Sequence, residues 1–407
     1  MNDSYMQQNG LSFLLCDYFE KDHEKTICSS QKSAVEFSAN NVQGCLISGL
    51  KKVVDINIVS APLIGSFPKE NYIFSFPALS SNAGIEYVSF NNVWGFRNIS
   101  RTIALKKKLF QLAKNKKIRN IIVYSPHTPF LQAAVSAKKK DGAVRICLIV
   151  PDLPQYRNLK KNVSLTYKIA KKYDVKHFYS LCEYVDSYLF FAPAMKEIFD
   201  TAGKKVIITE GLLEDDIFEK NEAQKKSIVV EPDIKYIVYT GKMYERFGVK
   251  DLVDAFMTLD NPSYRLVICG SGDIDEYVKI QVEKDSRIIA LGQVSPDESH
   301  MWQLKANVLI NPRSNDEDFV KYSFPSKNLE YLASGSLVVA HFLKGMPEVY
   351  RDFMLCINDE GNHIDAIRTA IQKGLKCTDN YDRYSKFKSY AKKHLMASSI
   401  SQQIIEG

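Results

Sequence analysis

In FPSKNLEYLASG, residues 324–335, three side chains with usable chemistry stand close together: Ser326, Lys327 and Glu330. Pro325 suits the first turn of a helix, where its missing N–H would have had no partner, and Gly335 suits the stop. The start of a helix leaves backbone N–H groups unpaired and carries partial positive charge, so it can seat a phosphate. The Ser326 hydroxyl and the Lys327 ammonium would converge on that phosphate. Glu330, three residues on, projects from the same face. A carboxylate repels phosphate but can accept both vicinal hydroxyls of a ribose. Cation then carboxylate therefore reads as diphosphate then ribose. A solvated surface pair has the same spacing and is the competing reading.

Other loops carry matching chemistry. In YTGKMYERFG (239–248), Gly241 turns the chain after an apolar run, and Lys242 and Arg246 put two cations where a diphosphate would depart. CGSGD (269–273) makes a second glycine turn at Gly270 and Gly272. It lacks the third glycine of a dinucleotide fingerprint. RIIALGQV (287–294) places the backbone of Gln293 and Val294 where it can read the edge of a base. NPRSNDEDFVKYS (311–323) adds Arg313, Glu317 and Tyr322. In the first half, His127 in SPHTP either orients a substrate or caps a turn. Asp152 in VPDLP either binds an acceptor hydroxyl or forms a turn. Asn40, Asn41 and Gln43 offer amides near the first strand's loop.

These loops need a frame. Short apolar runs at 11–16, 55–60, 120–125, 145–151 and 187–192 read as buried strands separated by helical periods. The pattern restarts at 205–211 and continues at 235–241, 265–272, 287–292, 307–312, 336–342 and 353–358. Such alternation predicts α/β architecture with parallel sheets covered on both faces. Two tandem Rossmann-like domains are expected, at 1–205 and 206–385, with a C-terminal helix at 386–407 packing back on the first. Ligands of such sheets bind at the carboxyl ends of the strands, where the loops above lie.

The chain has 407 residues, 45% hydrophobic and 25% charged, which suits two domains rather than one. No apolar run approaches the ~20 residues of a membrane span, and the start does not read as a signal peptide. Eight cysteines are scattered without metal-ligand spacing, which fits a reducing cytoplasm and argues against a zinc site. The net charge of +7 is uneven. Residues 97–176 hold 20 basic side chains against 3 acidic ones, so this half is expected to face something anionic. Signatures of nucleic-acid binding are absent, which leaves a phospholipid surface or a pyrophosphate-bearing substrate.

Taken together, YTG…ERFGVKDLVDAF, LVICGSGD, RIIALGQV, ANVLINPR and YSFPSKNLEYLASG resemble the donor-binding half of the GT-B glycosyltransferases, specifically the retaining family 4. The form NPR…KYSFPSKNLEYLASG looks most like the bacterial branch that builds capsular polysaccharide and O-antigen. The resemblance implies two Rossmann-like domains with sheets facing each other across a cleft. It implies transfer of a sugar from a nucleotide diphosphate, with UDP as the favoured carrier, to a saccharide acceptor linked to polyprenyl pyrophosphate. Retention of configuration, independence from metal and peripheral attachment to the inner face of the cell membrane follow from it as well. Carried over by position, Glu330 holds the ribose, Ser326 and Lys327 contact the diphosphate, and Lys242 and Arg246 neutralise it as it leaves. The family's sugar-contacting glutamate falls at Tyr322 here, with Arg313 or Glu317 as substitutes, so the donor sugar is open. A nucleotide-sugar-binding protein without transferase activity is the alternative.

Overall fold

The computed structural model describes residues 10–32, 37–81, 84–114, 116–156, 164–358 and 361–406. The chain divides into two compact units, 1–214 with 396–407, and 215–395.

The first unit contains strands β1 (Leu11–Cys16), β2 (Ile56–Ser60), β3 (Ser75–Phe76), β4 (Leu79–Ser80), β5 (Ile85–Tyr87), β6 (Phe90–Asn91), β7 (Ile118–Tyr124), β8 (Arg145–Val150), β9 (Ser187–Phe190) and β10 (Lys205–Ile208). Its helices are α1 (Lys21–Ser30), α2 (Phe37–Val53), α3 (Arg97–Ala113), α4 (Thr128–Lys140) and α5 (Leu165–Leu181). Eight strands form one sheet in the order β10-β9-β8-β7-β1-β2-β5-β4, parallel except for β4 against β5. β3 and β6 make a separate antiparallel pair. The chain leaves β1 toward β2 and returns on its other side at β7, so the strand order reverses there.

The second unit contains α6 (Ile217–Ser227), β11 (Lys235–Thr240), α7 (Val249–Met257), β12 (Tyr264–Cys269), α8 (Asp275–Lys284), β13 (Ile288–Gly292), α9 (Pro296–Lys305), β14 (Val308–Asn311), α10 (Ser326–Ala333), β15 (Leu337–His341), β16 (Leu355–Ile357), α11 (His363–Leu375) and α12 (Asn380–His394). Six parallel strands run β13-β12-β11-β14-β15-β16, with the reversal between β11 and β14. Ile237, Ile268, Val308 and Val339 on the sheet pack with Val253 and Phe256 of α7 and Ile371 of α11 in one core. β14, apolar up to its last residue Asn311, is buried throughout because helices cover both faces.

Two boundaries differ from the sequence expectation. The run at 205–211, expected to open the second domain, forms β10 and pairs with β9, so the first unit extends to Glu214. The C-terminal segment is two helices, not one. α12 stays in the second unit, and α13 (Ala397–Glu406) packs on α2 in the first. That packing is tight: a Cβ on Gly49 of α2 would stand 2.4 Å from the Ala397 carbonyl oxygen.

Candidate active site

The β11/β14 reversal is where an open parallel sheet leaves a crevice at its carboxyl edge. Two glycine loops line it and are laced together. The Gly241 N–H donates to the Cys269 carbonyl at 2.7 Å, and the Gly270 N–H donates to the Gly292 carbonyl at 2.7 Å. The Met243 N–H reaches the Ser271 carbonyl at 3.0 Å. A Cβ on Gly270 would lie 1.7 Å from the Gly241 oxygen, and one on Gly272 would lie 2.1 Å from the Met243 oxygen. Both glycines, expected as ligand contacts, are thus needed first for the approach of one loop to the other.

α10 enters the same crevice. It begins at Ser326, and Pro325 precedes it as the cap residue with extended backbone (φ −74°, ψ 94°), one position earlier than expected. Gly335 follows the helix with φ +72°, as a stop residue should. Two buried side chains fix the helix. The Tyr331 phenol accepts from the Thr240 N–H at 2.8 Å and donates to the Thr240 carbonyl at 3.1 Å, at the last residue of β11. Asn328 accepts from the Asn311 amide at 2.7 Å, at the last residue of β14. α10 is thereby tied to both strands of the reversal.

This tether sets Lys327 over Gly241. A Cβ on Gly241 would be 2.1 Å from Lys327 Cε and 3.0 Å from its Nζ, so glycine makes room for the lysine stem. Burial pulls the Lys327 ammonium below the ordinary lysine pKa; Glu330 opposes that pull and Lys242 adds to it. Two cations and a carboxylate therefore act on one another at the end of β11, beside the first-turn amides of α10. An anion bound there would ease the repulsion between the two ammonium groups.

Glu330 is partly buried, and His300 of α9 feels its charge. Burial lowers the His300 pKa, with Glu330 acting the other way. The His300 Nε2 pairs with Asn221 Oδ1 at 2.8 Å, and the Asn221 amide donates to the Ala333 carbonyl at the end of α10 at 2.9 Å. Gln293 is exposed and Val294 partly buried in the loop after β13.

Arg246 shares the Tyr244 ring with Lys242, whose ammonium stands 5.7 Å from it. The Arg246 guanidinium sits 5.1 Å from the Tyr244 ring and 5.3 Å from the Phe247 ring. Arg246 lines a cavity of about 110 Å³ with Asp251, Glu317, His341 and His363, among others. Arg313 stands 5.5 Å from the Phe247 ring and 4.8 Å from the Phe319 ring, and bonds the Ser323 hydroxyl at 3.4 Å. Tyr322 is partly buried at the end of a 3-10 turn over 318–322.

In the first unit, His127 occupies the N-cap position of α4, three residues past the end of β7 and at that sheet's own reversal, and its ring stands 5.2 Å from Phe130. Asp152 is exposed after β8. Asn40 and Gln43 turn their amides to backbone groups near the end of β1. Asn40 bonds both the N–H and the carbonyl of Phe19, and Gln43 accepts from the Asp17 N–H at 3.1 Å, so these amides anchor α2 to the β1 loop. Asn41 is left exposed.

The sequence reading missed Tyr331, Thr240, Asn328 and His300. Tyr331 and Asn328 sit among apolar helix positions and read as core. The coupling of Tyr331 to Thr240 spans ninety-one residues and leaves no local signal.

Residues 234–375 match the family model described as "Glycosyl transferases group 1". No curated protein sequence matches the chain. Sucrose-phosphate synthase from Thermosynechococcus elongatus superposes with a TM-score of 0.64 at 13% identity, covering 97% of this chain and 98% of that one. HepE from Anabaena, solved in complex with UDP, gives 0.59 at 14% identity over 97% and 99%. The lipopolysaccharide outer core galactosyltransferase WaaB, in its apo form, gives 0.56 at 14% identity over 93% and 94%. The fold is GT-B. Fold and matched segment are those of a glycosyltransferase enzyme.

Proposed function

We propose that the protein transfers a sugar from a UDP-sugar to a saccharide acceptor carried on polyprenyl pyrophosphate, with retention of configuration. It would act in surface polysaccharide assembly, attached peripherally to the inner face of the cell membrane. The observation that carries this reading is the placement of Lys327 over Gly241, within reach of Lys242, with Glu330 one turn into the helix. The UDP found in HepE and the lipopolysaccharide substrate class in the name of WaaB support it.

In this reaction the bond from the anomeric carbon to the UDP phosphate oxygen breaks through an oxocarbenium-like state. Negative charge grows on the departing phosphate. Lys327, Lys242 and the amides of Ser326 and Lys327 meet that charge with ammonium and N–H donors in place of a metal ion; one such donor is worth about 10²–10³ in rate. Lys327 is partly buried, which raises the value of its charge because less solvent competes for it than at an exposed site. Glu330 accepts the ribose diol. Arg246 and Arg313 flank the Phe247 ring and border the sugar side. The acceptor hydroxyl attacks on the face the phosphate is leaving, and the phosphate oxygen takes its proton. The new glycosidic bond then keeps the configuration of the old one. His127 and Asp152 orient the acceptor hydroxyl.

The test is a thermal-shift panel of UDP, GDP, dTDP and NAD, followed by a screen of UDP-sugars for slow hydrolysis. UDP should stabilise the fold and one UDP-sugar should be hydrolysed. Stabilisation by NAD with none from any nucleoside diphosphate would sink the proposal.

A further inference from the structure

Most large hydrophobic side chains left exposed among the described residues lie between Leu63 and Tyr173, all in the first unit. They form two groups, on or beside helices that both pack against α4. One surrounds the start of α3, where Trp94, Phe96, Ile99 and Ile103 are each more than half exposed. This group is a built surface. The Arg97 guanidinium donates to the Ile64 carbonyl at 2.6 Å, the Trp94 N–H to the Phe67 carbonyl at 3.4 Å and the Asn92 N–H to the Phe74 carbonyl at 2.7 Å. The other group is a stripe on α5, where Leu165 is 73% exposed, Ile169 50% and Tyr173 71%. Their spacing of four residues puts them on one side of the helix. α4 packs against both α3 and α5, and Tyr167 of α5 is close enough to Arg97 of α3 to act on its charge.

Charge runs beside both groups. Lys168, Lys172 and Lys176 are exposed at the same four-residue spacing and border the apolar stripe of α5, with Asp174 the only acidic residue on that helix. α3 carries no acidic residue and exposes Lys107. Large apolar side chains in a row of lysines suit a bilayer interface, where the former enter the acyl boundary and the latter stay with anionic headgroups. A surface made for a second protein copy would be poor in lysine at its centre.

We propose that the starts of α3 and α5 form one surface that inserts into an anionic phospholipid bilayer, with Ile99, Ile103, Leu165 and Ile169 as the inserted side chains. This deepens, and rests on, the peripheral membrane reading given above: it assigns attachment to shallow apolar insertion and not to charge alone.

The experiment compares sedimentation with vesicles of phosphatidylglycerol and phosphatidylcholine mixed, and of phosphatidylcholine alone, across a salt series. The wild type should bind the mixed vesicles, weaken as salt rises and keep a salt-resistant fraction. The variant Ile99→Ser, Ile103→Ser, Leu165→Ser, Ile169→Ser should lose binding by about tenfold or more, including the salt-resistant part. All four side chains are exposed, so its thermal stability and its response to UDP should match the wild type. Equal binding by variant and wild type would overturn the proposal, as would absence of wild-type binding. Gel filtration gives the third overturning result, a dimer that the variant dissolves. The UDP response reads the donor site independently, so failure there leaves the vesicle result standing.

Discussion

The Tyr331 phenol clasps both backbone groups of Thr240, 2.8 Å from the N–H and 3.1 Å from the carbonyl oxygen. The neighbours of these two residues are Glu330 and Gly241, so one buried phenol sets the distance between the Glu330 carboxylate and the glycine turn. Gln303 completes the cluster by donating to the Thr240 hydroxyl at 3.2 Å. Tyr331→Phe keeps the ring and leaves the Thr240 N–H without its partner. A buried donor stranded this way costs about 1–3 kcal/mol. Urea denaturation should show that loss, and a UDP titration should show weaker binding although Tyr331 touches no substrate.

Lys327 and Glu330 are assigned to different parts of one ligand, and probes can separate them. Lys327→Ala should weaken UDP and inorganic pyrophosphate alike, by about ten- to a hundredfold, the worth of a charge-assisted hydrogen bond. Glu330→Ala should weaken UDP while leaving pyrophosphate binding near wild type. Competition binding with both probes checks this. Equal losses for both probes in the Glu330 variant would remove its ribose role.

Much of this frame was legible in the sequence because its signals are local. The run KYIVYTG has the length and β-branched content of a buried strand, and it forms β11. The alternation of short apolar runs with helical periods marked most later strands of the second unit. The reversal between β11 and β14 could not be read, since pairing order depends on long-range packing. The short strands β3 to β6 gave no periodicity to find. β10 was recognised as a strand and assigned to the wrong sheet, because its pairing with β9 is a tertiary choice that composition does not record. At the site, Lys327 and Glu330 were visible as types at a spacing. That Gly270 and Gly272 serve loop packing was not, because the carbonyls they admit belong to residues 241 and 243.

The glycines offer a graded test. Gly292 has φ +67° with open space around its Cβ position, so Gly292→Ala should cost only the left-handed backbone penalty, about 1–2 kcal/mol. Gly270 has φ +149° and a carbonyl oxygen 1.7 Å from the same position. Gly270→Ala must force the two loops apart, so it should cost clearly more and abolish the UDP thermal shift. Melting curves of the two variants with and without UDP give the comparison.

The pH response of donor binding follows from Lys327. Burial holds its pKa below the ordinary lysine value. Between the folded and ordinary values the unfolded chain binds more protons, so the burial penalty is fully present below that interval and stability rises with pH across it. A bound diphosphate has the opposite sign: it favours the ammonium, so binding takes up a proton in the same interval. UDP affinity should therefore be flat near neutrality and fall as pH climbs toward about 10, beginning earlier than an exposed lysine would allow. Glu330 opposes the depression, so Glu330→Gln should move the fall to lower pH. Lys327→Arg stays charged throughout this range and should keep only the part of the fall that ionisation of the uracil imide contributes, even if its baseline affinity is reduced. Calorimetric UDP titrations across the alkaline range measure all three. A wild-type profile as flat as that of Lys327→Arg would mean that the ammonium over Gly241 does not meet the diphosphate.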